Sequence, residues 1–104
     1  MDKLQQVLKR LNTTGLPVTY RFWPEGAAPP LPFLCYFAAG SNNFAADGVV
    51  YEAITAVTIE LYTKYKDTAA EELVEAALAP FYWEKEETFL ESEQCYETIY
   101  EIEV

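Results

Sequence analysis

The last ten residues of the chain, Cys95 to Val104, alternate without a break. Tyr96, Thr98, Tyr100, Ile102 and Val104 fall on one side, and Glu97, Ile99, Glu101 and Glu103 on the other. A period of two marks a strand whose faces meet different surroundings, so this segment predicts a half-buried β-strand with one wet face. A strand alone is not stable in water, so the rest of the chain must supply its partners. Tyr82 to Phe89 predicts the neighbouring strand, joined to it by a short polar turn around Ser92. From Val49 to Thr63 the odd positions are mainly apolar, with Glu52, Thr58, Glu60 and Tyr62 between them. This predicts a long strand, and fifteen residues is long enough to expect a bulge or bend near Ala53 to Ala56.

Two further strands are expected, Val18 to Trp23 by alternation and Phe33 to Ala38 as a short apolar run. Between them, GAAPPLP is a proline-rich connector that cannot donate to a ladder and should run over the surface or along an edge. Leu4, Val7, Leu8 and Leu11 recur at helical spacing and predict an amphipathic helix over residues 2–13, stopped by Gly15 and Pro17. Thr68 with Glu71 fits a capping box and opens a second helix, whose apolar stripe is Leu73, Val74, Ala77 and Leu78 with Phe81, and which Pro80 ends. The predicted order is α-β-β-β-α-β-β. This is an α+β fold in which a single, mostly antiparallel sheet of about five strands carries two helices on one face, in one domain over residues 1–104.

Charge narrows the function. Of 104 residues, 17 are acidic, 7 are basic and none is histidine, for a formal charge of −10. Half of the residues are apolar, too many for a disordered acidic tail. The missing histidine removes the commonest general base near neutral pH, and the negative charge opposes binding of nucleic-acid phosphates. The charge is also uneven: residues 1–51 sum to +1 and residues 52–104 to −11. Cys35 and Cys95 form no CxxC pair, so zinc and thioredoxin-type chemistry lack support, and two buried thiols are expected; a disulfide is the lesser reading for a protein made in a reducing cytosol. No signal-peptide core and no long apolar run occurs, so an intracellular product without a membrane segment is expected.

Few residues read as a chemical site. Glutamates at alternating strand positions share one solvated face, which supplies neither the burial nor the asymmetry that an acid and base pair needs, so no catalytic residues are assigned. The same carboxylates suit Ca²⁺ or Mg²⁺, but no EF-hand spacing is present, and no metal or cofactor is expected. Gly40 to Gly48 lacks the order and the lysine of a phosphate loop and reads as a loop of nine residues, long enough to hint at use, with Asp47-Gly48 as a turn. Phe44 within it either tucks into the core or anchors a partner.

The phrases NNFAADG (42–48), VTIELYTKYKD (57–67), YWEKEE (82–87) and ESEQCYETIYEIEV (91–104), with a capped helix rich in alanine and glutamate among them, resemble a family of small phage proteins. These are the tail terminator, or tail-to-head joining, proteins encoded in the head-to-tail junction region of long-tailed phages and prophages of Gram-positive bacteria. The resemblance spans roughly residues 17–104. It implies a structural virion protein, made in the host cytoplasm, that assembles typically as a six-fold ring on the end of the tail tube. Such a ring ends polymerisation of the major tail tube protein and meets the head-completion or connector protein, while DNA passes through without specific binding. Neighbouring junction proteins, such as a head-completion adaptor or minor capsid protein, meet the same physical criteria. An acidic DNA-mimic inhibitor is a further alternative, opposed by the mixing of the glutamates with Ile and Tyr and by the near-neutral first half.

A ring subunit needs two unlike surfaces, which the uneven charge can provide. The expectation is that Asn43, Phe44, Asp47 and Gly48 contact a neighbouring subunit or the tail tube. Glu84, Glu86, Glu97 and Glu101 are expected to border the channel, where negative charge repels DNA phosphates. Stacking six acidic copies should also make assembly sensitive to salt and to divalent cations.

Overall fold

Helix α1, Lys3–Asn12, forms where the leucine and valine spacing predicts it, and buries Val7 and Leu11 completely. The structure, a computed structural model, describes residues 2–104; the first residue of the 1–104 domain predicted above lies outside them. Asp2 caps α1: its carboxylate accepts from Gln5 N at 2.8 Å, while Gln5 Oε1 accepts from Asp2 N at 3.0 Å, satisfying two amides at the helix start. Next comes β1, Val18–Tyr20, shorter than the predicted 18–23 because Arg21 turns to φ +67° and leaves the extended region. The connector then leads into β2, Phe33–Ser41, which runs three residues beyond the expected Ala38.

The segment expected to be a loop from Gly40 to Gly48 is mostly strand. Beyond the end of β2, β3 (Phe44–Ala46) pairs antiparallel with β4 (Val49–Glu52) across the two-residue turn Asp47-Gly48. Both turn residues have positive φ, +55° and +78°, the backbone of the turn that Asp-Gly favours because it follows strand twist. The predicted long strand 49–63 is therefore divided: β4 ends at Glu52 and β5, Thr55–Thr63, begins after Ala53-Ile54, where a bend was expected. Helix α2, Thr68–Ala77, and strands β6, Glu84–Leu90, and β7, Cys95–Glu103, complete the chain.

The fold is α+β, with the main sheet in the order β1-β2-β5-β7-β6 and a separate two-stranded β3-β4 sheet. All pairings are antiparallel except β1 with β2. Strand register decides what each face carries. On one face lie the rows Leu34, Leu61, Thr98 and Tyr36, Ile59, Tyr100, followed by Ala38, Val57, Ile102. Val7 and Leu11 of α1 and Ala70, Val74 and Leu78 on and just after α2 pack against these rows, so both helices cover the same face. Each fully buried Leu, Ile or Val contributes roughly 1.5–3 kcal/mol. Leu73, expected in the α2 stripe, is 45% exposed; Ala70 takes the inward position one turn before Val74 and Ala77.

A charged bracket holds α2 to the sheet. Glu71 is only 4% exposed, and its two carboxylate oxygens receive Lys66 Nζ at 2.8 Å and Lys85 Nζ at 3.0 Å. Burial alone would raise its pKa, but the hydrogen bonds from the two lysines outweigh it and hold the carboxyl below its ordinary value. Lys85 also reaches Glu75 at 2.6 Å, and Glu75 accepts from the buried Tyr100 hydroxyl at 2.8 Å. The N-cap of α2 is Asp67 rather than Thr68, since the Asp67 carboxylate accepts from Ala70 N at 3.0 Å. Glu71 thus serves the lysines instead of a capping box. Replacing Asp67 by Ala should cost about 1 kcal/mol in urea unfolding, whereas Thr68→Ala should stay within about 0.5 kcal/mol; equal losses would contradict the Asp67 cap.

Candidate functional site

The face of the main sheet away from the helices carries three rows set by the same register. They are Phe33, Tyr62, Glu97, Thr88; then Cys35, Glu60, Ile99, Glu86; then Phe37, Thr58, Glu101, Glu84. The two sides of this face differ. Over β2, residues after β1 fold back: Trp23 meets Phe33 edge-on at 5.8 Å, Phe33 packs on Tyr62 at 5.3 Å, and the Arg21 guanidinium lies 4.6 Å from the Phe37 ring. On the other side β6 is the edge strand, and Glu84, Glu86, Glu101 and Glu103 are exposed. Glu84 stands directly across from Glu101, a like-charge pair that costs the sheet stability and is not needed to form it.

Of the four glutamates expected at a channel, three therefore share one exposed surface and one does not. Glu97 is 8% exposed and accepts a hydrogen bond from the Tyr62 hydroxyl at 3.1 Å, so the face is not the uniformly solvated ladder that alternation predicts. Its neighbour Glu60 is half-buried. Burial pushes the Glu60 pKa up to about 7, helped by a hydrogen bond to Glu97 and by that group's charge, against smaller opposing effects of Tyr62 and Arg21. The Glu60 carboxyl therefore keeps its proton to a higher pH than an exposed glutamate does. Beside them, burial and the charges of Glu60 and Glu97 push the Cys35 thiol up to about 11, which keeps it protonated and unreactive. Cys35 and Cys95 are both buried free thiols. Among the described residues no group of three or more Cys, Asp or Glu is arranged to hold a metal, and no helix is long and apolar enough to cross a membrane.

The second surface is the β3-β4 hairpin. Nine strand residues span about 30 Å, whereas the molecule measures 49 × 27 × 24 Å, so the hairpin lengthens it beyond the sheet. The radius of gyration, 14.8 Å, correspondingly exceeds the ~13 Å typical of a chain this size. Phe44 is 59% exposed and Tyr51 74%, in edge-to-face contact with each other at 5.9 Å, with Val49 and Val50 exposed beside them. Phe44 does not tuck into the core. A bulge between Phe44 and Ala45 leaves Tyr51 as the extra residue on β4.

The other residues expected at this contact have structural roles that the geometry makes plain. Asn43 Oδ1 accepts from Ile54 N at 3.0 Å and Asn42 N donates to Ile54 O at 2.9 Å, together fastening the hairpin root. Asp47 and Gly48 form its turn. Val49, Val50 and Tyr51 belong to the exposed surface but read as one end of an inner strand, because alternation continues smoothly through them into β5. Only the Asp-Gly turn between two apolar runs signals the hairpin.

The Glu60 carboxyl keeps its proton to a higher pH when folded than when unfolded, so its contribution to stability is present below about 4.5 and is lost as pH rises to about 7. Relative to the native protein, Glu60→Gln should gain about 1 kcal/mol more in urea unfolding at about pH 8 than at about pH 4, the full shift being reduced by the water that still reaches the group. A difference that does not change with pH would contradict the raised Glu60 pKa. In comparisons with known proteins, no family model and no curated protein matches the chain.

Proposed function

We propose that this protein is a structural component of the head-to-tail junction of long-tailed phages, a tail terminator that forms a ring on the completed tail tube, ends its growth and offers a surface to the head connector. The observation that carries this reading is the position of NNFAADG, the phrase resembling the terminator family. It builds a projecting hairpin in which Asn43 secures the root, Asp47-Gly48 makes the turn and Phe44 faces outward. A hairpin whose large apolar side chains face water is a contact surface in search of a partner, since aromatic anchors dominate the energy of protein interfaces.

The glutamate face supports the same reading by its chemistry. Glu84, Glu86, Glu101 and Glu103 on one open surface repel phosphates, which suits a wall that DNA passes without sticking. This reading assigns the chain no catalysis and no cofactor. Its location is the virion, and its partners are further copies of itself, the tail tube protein and the connector. The exposed apolar hairpin separates it from an acidic mimic of DNA, which would need only the charged face.

Complementation tests the proposal. In a phage whose own gene for this protein is inactivated, the native protein supplied in trans should restore tails of uniform length joined to heads, and failure to do so would overturn the terminator reading. Phe44→Ala should keep its stability within about 0.5 kcal/mol yet leave tails overlong or unjoined, because the side chain contributes little to the core. Normal tails with Phe44→Ala would remove the hairpin from the contact.

A further inference from the structure

Among the described residues, two of the grooves have the size and the apolar lining to receive an apolar hairpin, and charge distinguishes them. One, of about 340 Å³, lies on the open sheet face at the hairpin root, between Ala39, Asn42, Thr58, Tyr82, Glu84 and Glu101. The other, of about 430 Å³, lies on the helix side, where Gln6, Lys9, Arg10 and Thr13 of α1 and its end face Pro80 and Phe81. The hairpin is purely acidic: it holds Asp47 and Glu52, and no Lys or Arg occurs from Phe22 to Thr63. Its carboxylates would meet Glu84 and Glu101 in the first groove and be repelled. In the second they would meet Lys9 and Arg10 on α1, an element with three bases and no acid. That groove also offers Pro80, Phe81 and the lysine stem as an apolar floor for the aromatic side chains.

We infer that the β3-β4 hairpin of one copy docks in the groove between α1 and Pro80-Phe81 of a second copy, with Phe44, Val49 and Tyr51, which share one face of the hairpin, on the apolar floor and Asp47 and Glu52 against Lys9 and Arg10. The inference rests on the ring reading and names its contact. A subunit's own groove is badly placed to receive its hairpin. Lys3 Nζ donates to Ala53 O at 2.9 Å and to Val104 O at 3.1 Å, which pins the start of α1 at the hairpin root. From there the helix runs toward Asn12, whose chain continues into β1 beside the start of β2, while the hairpin extends beyond the end of β2. Donor and acceptor are thus unlike surfaces at separate places on one molecule. Repeating such a head-to-tail contact generates a ring when the rotation closes. Arg10 is already oriented, because its Nε donates to Ala77 O at 2.6 Å and holds the guanidinium against the end of α2. The open glutamate face takes no part in the contact and stays free to border a channel.

Cross-linking between two variants, each with one added cysteine, tests the contact, since the native Cys35 and Cys95 are buried and free. Val50→Cys protein mixed with Thr13→Cys protein and a short bismaleimide should give a cross-linked dimer several-fold in excess over Val50→Cys mixed with Glu86→Cys, a control on the open face. Adding Lys9→Glu to the Thr13→Cys protein should abolish the product, and adding Glu52→Lys to the Val50→Cys protein should restore it. Equal cross-linking to Glu86→Cys, or a yield indifferent to both charge reversals, would overturn the inference. Cross-links in a protein that never binds tail tubes would keep this contact and remove the tail reading; caps on tubes without these cross-links would do the reverse.

Discussion

The register of β7 between β5 and β6 is the constraint on which the rest of the molecule depends. Because successive side chains of a strand point to opposite faces, pairing Ile59 with Tyr100 and Val57 with Ile102 places those residues under the helices and in the same stroke sends Glu97, Ile99 and Glu101 outward. Pairing Lys85 with Tyr100 brings the lysine to Glu71 and Glu75 on α2 and leaves Glu84 and Glu86 beside the outward glutamates. A slip by one residue would bury the glutamates and expose the core. Core, helix attachment and acidic surface are therefore three results of one pairing.

The two outward features place their costs differently. Like charges face each other at Glu84 and Glu101, and the β3-β4 hairpin leaves Phe44 and Tyr51 in water, where neither adds to the core. Both lie outside the packed layer of helices and sheet, so substitutions there are expected to change assembly with little effect on folding. The half-buried Glu60 carboxyl lies between these regimes, one row from the Phe33 and Tyr62 pair on the same face.

Most of the fold was legible in the sequence because its period-two and helical spacings are clean. Alternation through β7 and β5 and the leucine spacing of α1 predict elements that exist, in an α+β arrangement with both helices on one face. What escaped depended on contacts beyond the local pattern. Thr68 resembles a cap as well as Asp67 does, and only the hydrogen bond to Ala70 distinguishes them. Leu73 looks like core on a helical wheel, but the sheet meets the helix along Ala70, Val74 and Ala77. Glu97 has the same alternating pattern as Glu101, yet it is buried and accepts a hydrogen bond from the Tyr62 hydroxyl of the neighbouring strand. At the candidate surface, Phe44 was visible as an anomaly in a polar segment, whereas Val49, Val50 and Tyr51 were concealed by a pattern that runs on into β5.

Electron microscopy of the purified protein mixed with tail tubes tests the central claim most directly. Added density in the form of a ring at one end of each tube, absent with Phe44→Ala, is the outcome predicted for a terminator that docks through its hairpin. Tube ends that stay bare in the presence of the native protein would contradict it.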